Sequence, residues 1–352
     1  MSAPESADLR PPADPSFNDR MSSVKRLARV LGIRGPLLAR AVAGNLLPGH
    51  RIDPEWLERY ERSRKDLRDG DPVFRPAKQW RLISSLFRLM MGGFGLDDFK
   101  ATFGRFLAAY EPDNPRYFEA LHHLYWSSLR RRDTWNLLDR LEEPDLGHGD
   151  TIAVGGKRVS IDLLQSVDEF YRLRETLGFE QNDAIAIAEI GAGYGRLAHV
   201  VLAAMPNARY FIFDLPESLL LSQYYLTKIH PGVPALLYPE SVDADEKRWA
   251  TERLVFGLPH QLKNVPRDLL DCVVNIYSFM EMSKGQVDAY FDVIEAINPS
   301  ALFIKQHKHE VNVLEQSLLT SKGYPVRPSW KLAYEGTSEL FEDVFEAIYR
   351  IR

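Results

Sequence analysis

The apolar positions of this chain change period near residue 180. From Ser22 to Arg132 they recur three and four apart, as in Trp80 to Met91 and Phe99 to Tyr110, with breaks at Gly92-Gly93 and Pro112. That spacing predicts an α-helical region. A polar, glycine-rich stretch from Glu142 to Ser160 and a further helix over Ile161 to Leu177 follow. Beyond them, short apolar runs alternate with helical ones. Runs at Ala184 to Ile190, up to Asp214, Leu254 to Phe256, Asp271 to Tyr277 and Ala301 to Gln306 read as buried parallel strands, with a helix over Gln286 to Ile297 before the last. The tail adds candidates at Lys331 to Tyr334 and Phe341 to Tyr349, the second alternating like an antiparallel strand near a sheet edge. This alternation predicts a doubly wound α/β sheet. Three parts are expected: a Pro-, Ser- and Asp-rich disordered tail over 1–20, a helical N-terminal lid or oligomerisation domain over 21–145, and an α/β domain over 146–352.

Where the first strand meets its helix, the period switches at Gly191-Ala192-Gly193-Tyr194-Gly195. Glycine removes the Cβ where a backbone turns sharply and a ligand must approach it. The helix behind carries Leu197, Val200, Val201 and Ala204 on one face and begins with unpaired N–H groups. Asp214 ends the second strand, where a carboxylate can accept hydrogen bonds from both hydroxyls of a ribose. A dinucleotide fold uses G-x-G-x-x-G with pyrophosphate on the helix N-terminus. Here the pattern is G-x-G-x-G, Arg196 takes the place of the third glycine and Glu189 precedes the turn. A carboxylate beside the turn would repel a pyrophosphate.

The 352 residues are 45% hydrophobic and 26% charged, which suits a globular chain of one large or two ordinary domains. A net charge of −5, with Arg130-Arg131-Arg132 as the tightest basic run, argues against a nucleic-acid partner. The basic amphipathic segment Ser22 to Asn45 reads as a helix on a partner subunit rather than a membrane anchor. Neither a signal-peptide core nor an apolar run of membrane-spanning length is present, so a cytoplasmic enzyme is expected. Cys272 is the only cysteine and sits in an apolar run, which reads as an inert core thiol.

The glycine turn resembles motif I of the class I S-adenosylmethionine-dependent methyltransferases. Together with Phe213-Asp214-Leu215-Pro216, the element Asn275 to Met282 and the run Phe303 to Lys308, it makes residues 145–350 resemble a bacterial family of sugar O-methyltransferases. The resemblance implies a Rossmann-like domain with a mostly parallel seven-stranded sheet. It also implies methyl transfer from S-adenosylmethionine to a hydroxyl of a sugar or glycosylated natural product. Cofactor contacts then fall at Glu189, Gly191, Ala192, Gly193, Tyr194, Gly195, Asp214, Leu215, Asn275 and Ser278. Tyr194 either meets the methionine end of the cofactor or packs on a neighbouring loop. The F-D-L-P element and the helical half also resemble the dimeric small-molecule O-methyltransferases, which implies a homodimer with the acceptor in the cleft between the parts. Those enzymes carry their histidine in an H-D-W element after the fourth strand. In this chain Met280 and Glu281 stand at its His and Asp.

A hydroxyl needs a base to become a good nucleophile, and a positioned one is worth about 10²–10⁴-fold. His307, after the fifth strand, and Glu281, after the fourth, are the candidates, with Glu281 alternatively orienting the acceptor's other hydroxyls. A divalent metal held by His307, His309 and Glu310 is the less favoured route. His148 and Asp150 in the G-H-G-D junction, with Phe279 and Gln306, are candidate substrate contacts. Adjacent His122 and His123 point apart on a helix and read as core or cleft wall. Two rival readings stand: methylation of a phenol or polyketide hydroxyl, and a catalytically silent methyltransferase-like scaffold.

Overall fold

The computed structural model describes residues 52–102, 115–312, 317–320, 322–338 and 341–352. The expected tail over 1–20, the segment Ser22 to Asn45, most of Phe99 to Tyr110 and the break at Pro112 lie outside the described residues.

Helices α1 (Pro54–Asp69), α2 (Lys78–Phe94) and α3 (Pro115–Leu129) and the single turn α4 (Leu137–Arg140) make up the described part of the helical region. Local chemistry starts α1, because Pro54 occupies the first turn and the Asp53 carboxylate accepts the Glu55 N–H at 2.9 Å. The polar junction is not the open loop its composition suggests. It folds into a short hairpin of β1 (Ile152–Val154) and β2 (Lys157–Val159), turned by Gly155 and Gly156 with φ of 59° and 79°. Next comes α5 (Ile161–Leu177), capped by the Ser160 hydroxyl on the Leu163 N–H.

The remaining elements build one sheet. They are β3 (Ala186–Ile190), α6 (Arg196–Ala204), β4 (Arg209–Phe213), α7 (Pro216–Ile229), β5 (Ala235–Leu236), α8 (Glu246–Thr251), β6 (Leu254–Gly257), β7 (Cys272–Ile276), α9 (Lys284–Ile297), β8 (Ala301–His307), β11 (Lys331–Thr337) and β12 (Val344–Arg350). Between the last two parallel neighbours and the terminal hairpin, β9 (His309–Asn312) pairs only with β10 (Ser317–Thr320). The sheet order is β11-β12-β8-β7-β3-β4-β6-β5, so eight strands replace the expected seven, the extra one being the two-residue edge strand β5. Neighbours from β5 to β8 are parallel, whereas β12 lies antiparallel between β8 and β11. The architecture is doubly wound and Rossmann-like, with a mostly parallel central sheet.

Alternation along each strand divides the core in two. In β4, Tyr210 and Ile212 join one apolar cluster with α5, α6 and α7, while Phe211 and Phe213 join another with α9. The helical region shares the first cluster, to which Leu86, Phe87 and Met90 of α2 belong together with Leu197 and Val200 of α6. Packing therefore runs without a break across the boundary expected at residue 146. Cys272 is fully buried in β7, as its apolar run suggested. Arg130 and Arg132 are not idle surface charges: Arg130 pairs with Asp139 at 2.7 Å, and Arg132 bridges Asp168 and Glu175 at 2.6 and 2.8 Å. No helix among the described residues is long and apolar enough to cross a membrane.

Candidate active site

Strand order reverses direction between β4, β3 and β7, and at such a switch point the loops leaving the strand ends diverge and leave a crevice. A cavity of about 440 Å³ opens there. Its floor is the glycine turn after β3. Gly191, Gly193 and Gly195 all have positive φ, of 73°, 62° and 87°. At Gly191 a Cβ would sit 2.3 Å from Ser278 Oγ, so that position requires glycine twice over. Gly193 instead faces open space, which leaves its backbone accessible to a ligand.

Two buried carboxylates flank the turn. Asp214 accepts the Gly193 N–H at 2.8 Å and the Leu215 N–H at 2.7 Å, one on each oxygen. Burial outweighs those two bonds and pushes its carboxyl up to about 8. Glu189 accepts the Tyr210 hydroxyl at 2.7 Å, and burial pushes it up to about 7. An ionised carboxylate offers about four acceptor sites, so Asp214 retains room for two further donors. Raised carboxyl values have a stability consequence. Between the ordinary carboxyl range near pH 4 and pH 8 the folded chain holds protons that the unfolded chain has lost, so ligand-free stability falls as pH rises through this window. Thermal unfolding from pH 5 to pH 9 measures this, and Asp214→Asn should flatten the fall; a slope untouched by the substitution refutes the assignment.

Arg196 also lines the cavity and is held from below. Its guanidinium forms a two-point pair with Glu169 of α5, at 2.6 and 2.8 Å, and donates to Ser166 Oγ at 2.9 Å. Behind it, the Lys305 ammonium lies 3.0 Å from Glu169 and 3.1 Å from Glu346 with no solvent exposure. Burial alone would lower that ammonium, and the surrounding carboxylates more than reverse it, so Lys305 is held above its ordinary value. The network fixes α5, α6, β8 and β12 beneath the turn.

At the far wall stands His307, the last residue of β8, with Nδ1 2.7 Å from an Asp343 carboxylate oxygen. Register explains the meeting: β12 pairs antiparallel with β8 so that Val344 opposes His307, which puts Asp343 beside it. With Nδ1–H donated to Asp343, Nε2 is left as the basic nitrogen. The Tyr277 ring lies 5.4 Å from the imidazole, on a residue with φ of 55°, a costly backbone state for a side-chain-bearing residue at a strand end. Glu281, on a 3-10 turn after β7, accepts the Trp80 indole N–H at 2.6 Å.

Of the residues singled out from sequence, Glu189, Gly191, Ala192, Gly193, Tyr194, Asp214, Leu215, Ser278, Glu281 and His307 line this cavity. Gly195, Asn275, Phe279, Gln306, His148 and Asp150 do not. Asn275 is spent on scaffolding, holding the Ile190 carbonyl, the Phe279 N–H and the Gln306 amide. Phe279 packs in the core on Phe291 and Tyr290. His148 pairs with Asp98 at 2.6 Å on the surface, and the glycines around it let the Lys100 stem pass; a Cβ on Gly147 would lie 2.7 Å from Lys100 Cγ. Tyr194 lines the cavity, and its hydroxyl donates to Asp162 of α5 at 2.6 Å. His122 is buried with Nδ1 on the Phe118 carbonyl, and His123 is exposed. His309 opens β9, and the Glu310 side chain lies outside what is described; among the described residues no group of three or more His, Cys, Asp or Glu is arranged to hold a metal ion. Asp343, Trp80 and Tyr277 were missed. Only the pairing of the last strand with the fifth could have pointed to Asp343.

No family model matches the chain, and no curated protein matches it in sequence. Among solved structures it is similar to an S-adenosylmethionine-dependent methyltransferase from Aquifex aeolicus, at 12% identity over 55% of this chain and 100% of that one, with a TM-score of 0.33. It is similar to the pyocyanin biosynthetic protein PhzM at 13% identity, over 81% and 78% of the two chains, with a TM-score of 0.35. A third is the magnesium protoporphyrin IX methyltransferase of Synechocystis PCC 6803 with bound S-adenosylhomocysteine, at 12% identity over 66% and 100%, with a TM-score of 0.38.

Proposed function

We propose that this protein is an S-adenosylmethionine-dependent O-methyltransferase acting on a hydroxyl of a small molecule, a sugar or glycoside before others. One observation carries the reading: a glycine turn with a buried ribose-type acid and a His-Asp pair face the same cavity. The donor set fits the cofactor. Asp214 has acceptor sites left for a ribose diol, Gly193 is open, and Glu189 and Asp214, whose raised values a bound cation would bring down, join Glu281 in favouring a cation over a pyrophosphate.

When bound there, the cofactor would supply an electrophilic methyl group and a thioether leaving group. The protein's own residues would do the rest. His307 Nε2 takes the acceptor's hydroxyl proton as the oxygen–methyl bond forms, and Asp343 holds Nδ1–H and stabilises the imidazolium. Glu281, oriented by Trp80, orients the acceptor. A second reading, an aromatic hydroxyl acceptor, is favoured by Trp80, Met280, Met282 and Phe341 on the same wall. The silent-scaffold reading loses ground because a base with an orienting carboxylate is available in place of the missing H-D-W histidine.

Calorimetry with S-adenosylmethionine and NAD tests the cofactor, and we expect the first to bind and the second not. Asp214→Ala should weaken binding by about 1–3 kcal/mol, the usual cost of removing a charged acceptor. NAD binding without S-adenosylmethionine binding overturns the proposal. A panel of sugars, glycosides and phenols with labelled cofactor chooses between the acceptor classes.

A further inference from the structure

Beside the cavity, and sharing Arg75 and Pro76 with it, lies a second groove of about 280 Å³ between α1, α2 and the start of α7. Arg81, Ser84, Ser85 and Arg88 are spaced three, four and seven apart on α2 and form one wall. Arg64 and Arg68 of α1 face them, but these two are occupied, Arg64 by Glu61 at 3.0 Å and Arg68 by Asp69 at 3.6 Å. Arg75, Arg81 and Arg88 pair with no carboxylate among the described residues. The Arg75 guanidinium donates to the Gly70 carbonyl, at 3.1 Å. Ser84 Oγ is buried with no hydrogen-bond partner. The one acid in the lining, Glu217, is buried and accepts the Tyr60 hydroxyl at 2.9 Å. Three guanidiniums without a carboxylate partner among the described residues and a hydroxyl without a hydrogen-bond partner line one concave site, a set of donors that suits an anion with several oxygens.

We propose that this groove binds a phosphate group of the methyl acceptor, so that the substrate is a phosphorylated or nucleoside-diphosphate-linked sugar rather than a free one. The inference rests on reading the neighbouring cavity as the methyl-transfer site. Geometry supports the link. Trp80, on the cavity wall, and Ser84 and Arg88, in the groove, lie on the same helix, which places the groove about 6–12 Å from Trp80 along its axis. A carboxylate would satisfy one guanidinium fork, whereas a phosphate has oxygens enough for several.

The test is calorimetry of the full chain with inorganic pyrophosphate, UDP-glucose, glucose and S-adenosylmethionine, for the native protein and for Arg81→Ala/Arg88→Ala. Both residues are exposed, so folding is not at stake. We expect pyrophosphate and UDP-glucose to bind, glucose not to bind, and the double variant to weaken both phosphate ligands by about tenfold or more while S-adenosylmethionine affinity holds. The charge-retaining Arg81→Lys/Arg88→Lys should bind at intermediate strength, because lysine keeps the charge and loses the fork. If S-adenosylmethionine binds and no phosphate ligand does, or the substitutions change nothing, the groove assignment falls while the function reading stands. Pyrophosphate binding without UDP-glucose binding marks a free-phosphate site and overturns the acceptor assignment. Tighter, arginine-dependent binding of a short oligonucleotide or of anionic vesicles overturns it in favour of a polymer or a membrane surface. Phosphate binding without S-adenosylmethionine binding overturns the function reading and the acceptor assignment with it.

Discussion

His307→Ala is expected to lower kcat by about 10²–10⁴-fold on a true acceptor while S-adenosylmethionine affinity stays within about twofold, because the imidazole acts on the acceptor proton. Asp343→Asn should give a smaller loss of kcat. It keeps the side chain's shape but no longer stabilises the imidazolium or fixes its tautomer. Glu281→Gln should raise KM more than it lowers kcat if that carboxylate orients the acceptor. Reversal of the last two patterns, with Glu281→Gln abolishing turnover and His307→Ala tolerated, would transfer the base role to Glu281.

The second large effect concerns stability. Lys305 has no exposure and holds Glu169 and Glu346 together from between them. Lys305→Met should cost about 3–5 kcal/mol, the usual consequence of leaving buried carboxylates without their counter-ion. Denaturant unfolding reads this directly. Adding Glu346→Gln to Lys305→Met should recover part of the loss, since the two residues share one network. A single variant within about 1 kcal/mol of the native chain would show that Arg172, 3.3 Å from Glu346, and Arg196, 2.6 Å from Glu169, are enough to neutralise the cluster.

What could be read from the sequence was what local pattern encodes. The β3 run, the three glycines and Asp214 lie within one continuous segment, and each residue's role follows from its neighbours, so the crevice floor was legible. Asn275 and Gln306 were located correctly in their strands, and the structure adds the scaffold bonds they make there. A strand-end amide serves ligand or scaffold according to what faces it, and the Ile190 carbonyl that Asn275 holds is remote in sequence. Asp343 could not be found, because it reaches His307 only through the antiparallel insertion of β12, which no local periodicity specifies. The G-H-G-D junction misled in a different way. Its glycines signalled a close approach, as glycines do, but the approaching atoms belong to Lys100 rather than to a substrate.

That lysine has a wider bearing. Its ammonium pairs with Glu143 and lies 4.6 Å from the ring centres of both Tyr194, in the glycine turn, and Tyr225 of α7. A peg from the helical half is thus seated in a socket whose wall is the turn itself. The chain is in this respect a single machine part: a fragment starting at residue 146 would lack the peg as well as the helical residues of the shared core, and the helical half cannot swing as a hinged lid without drawing Lys100 away from Tyr194 and Tyr225.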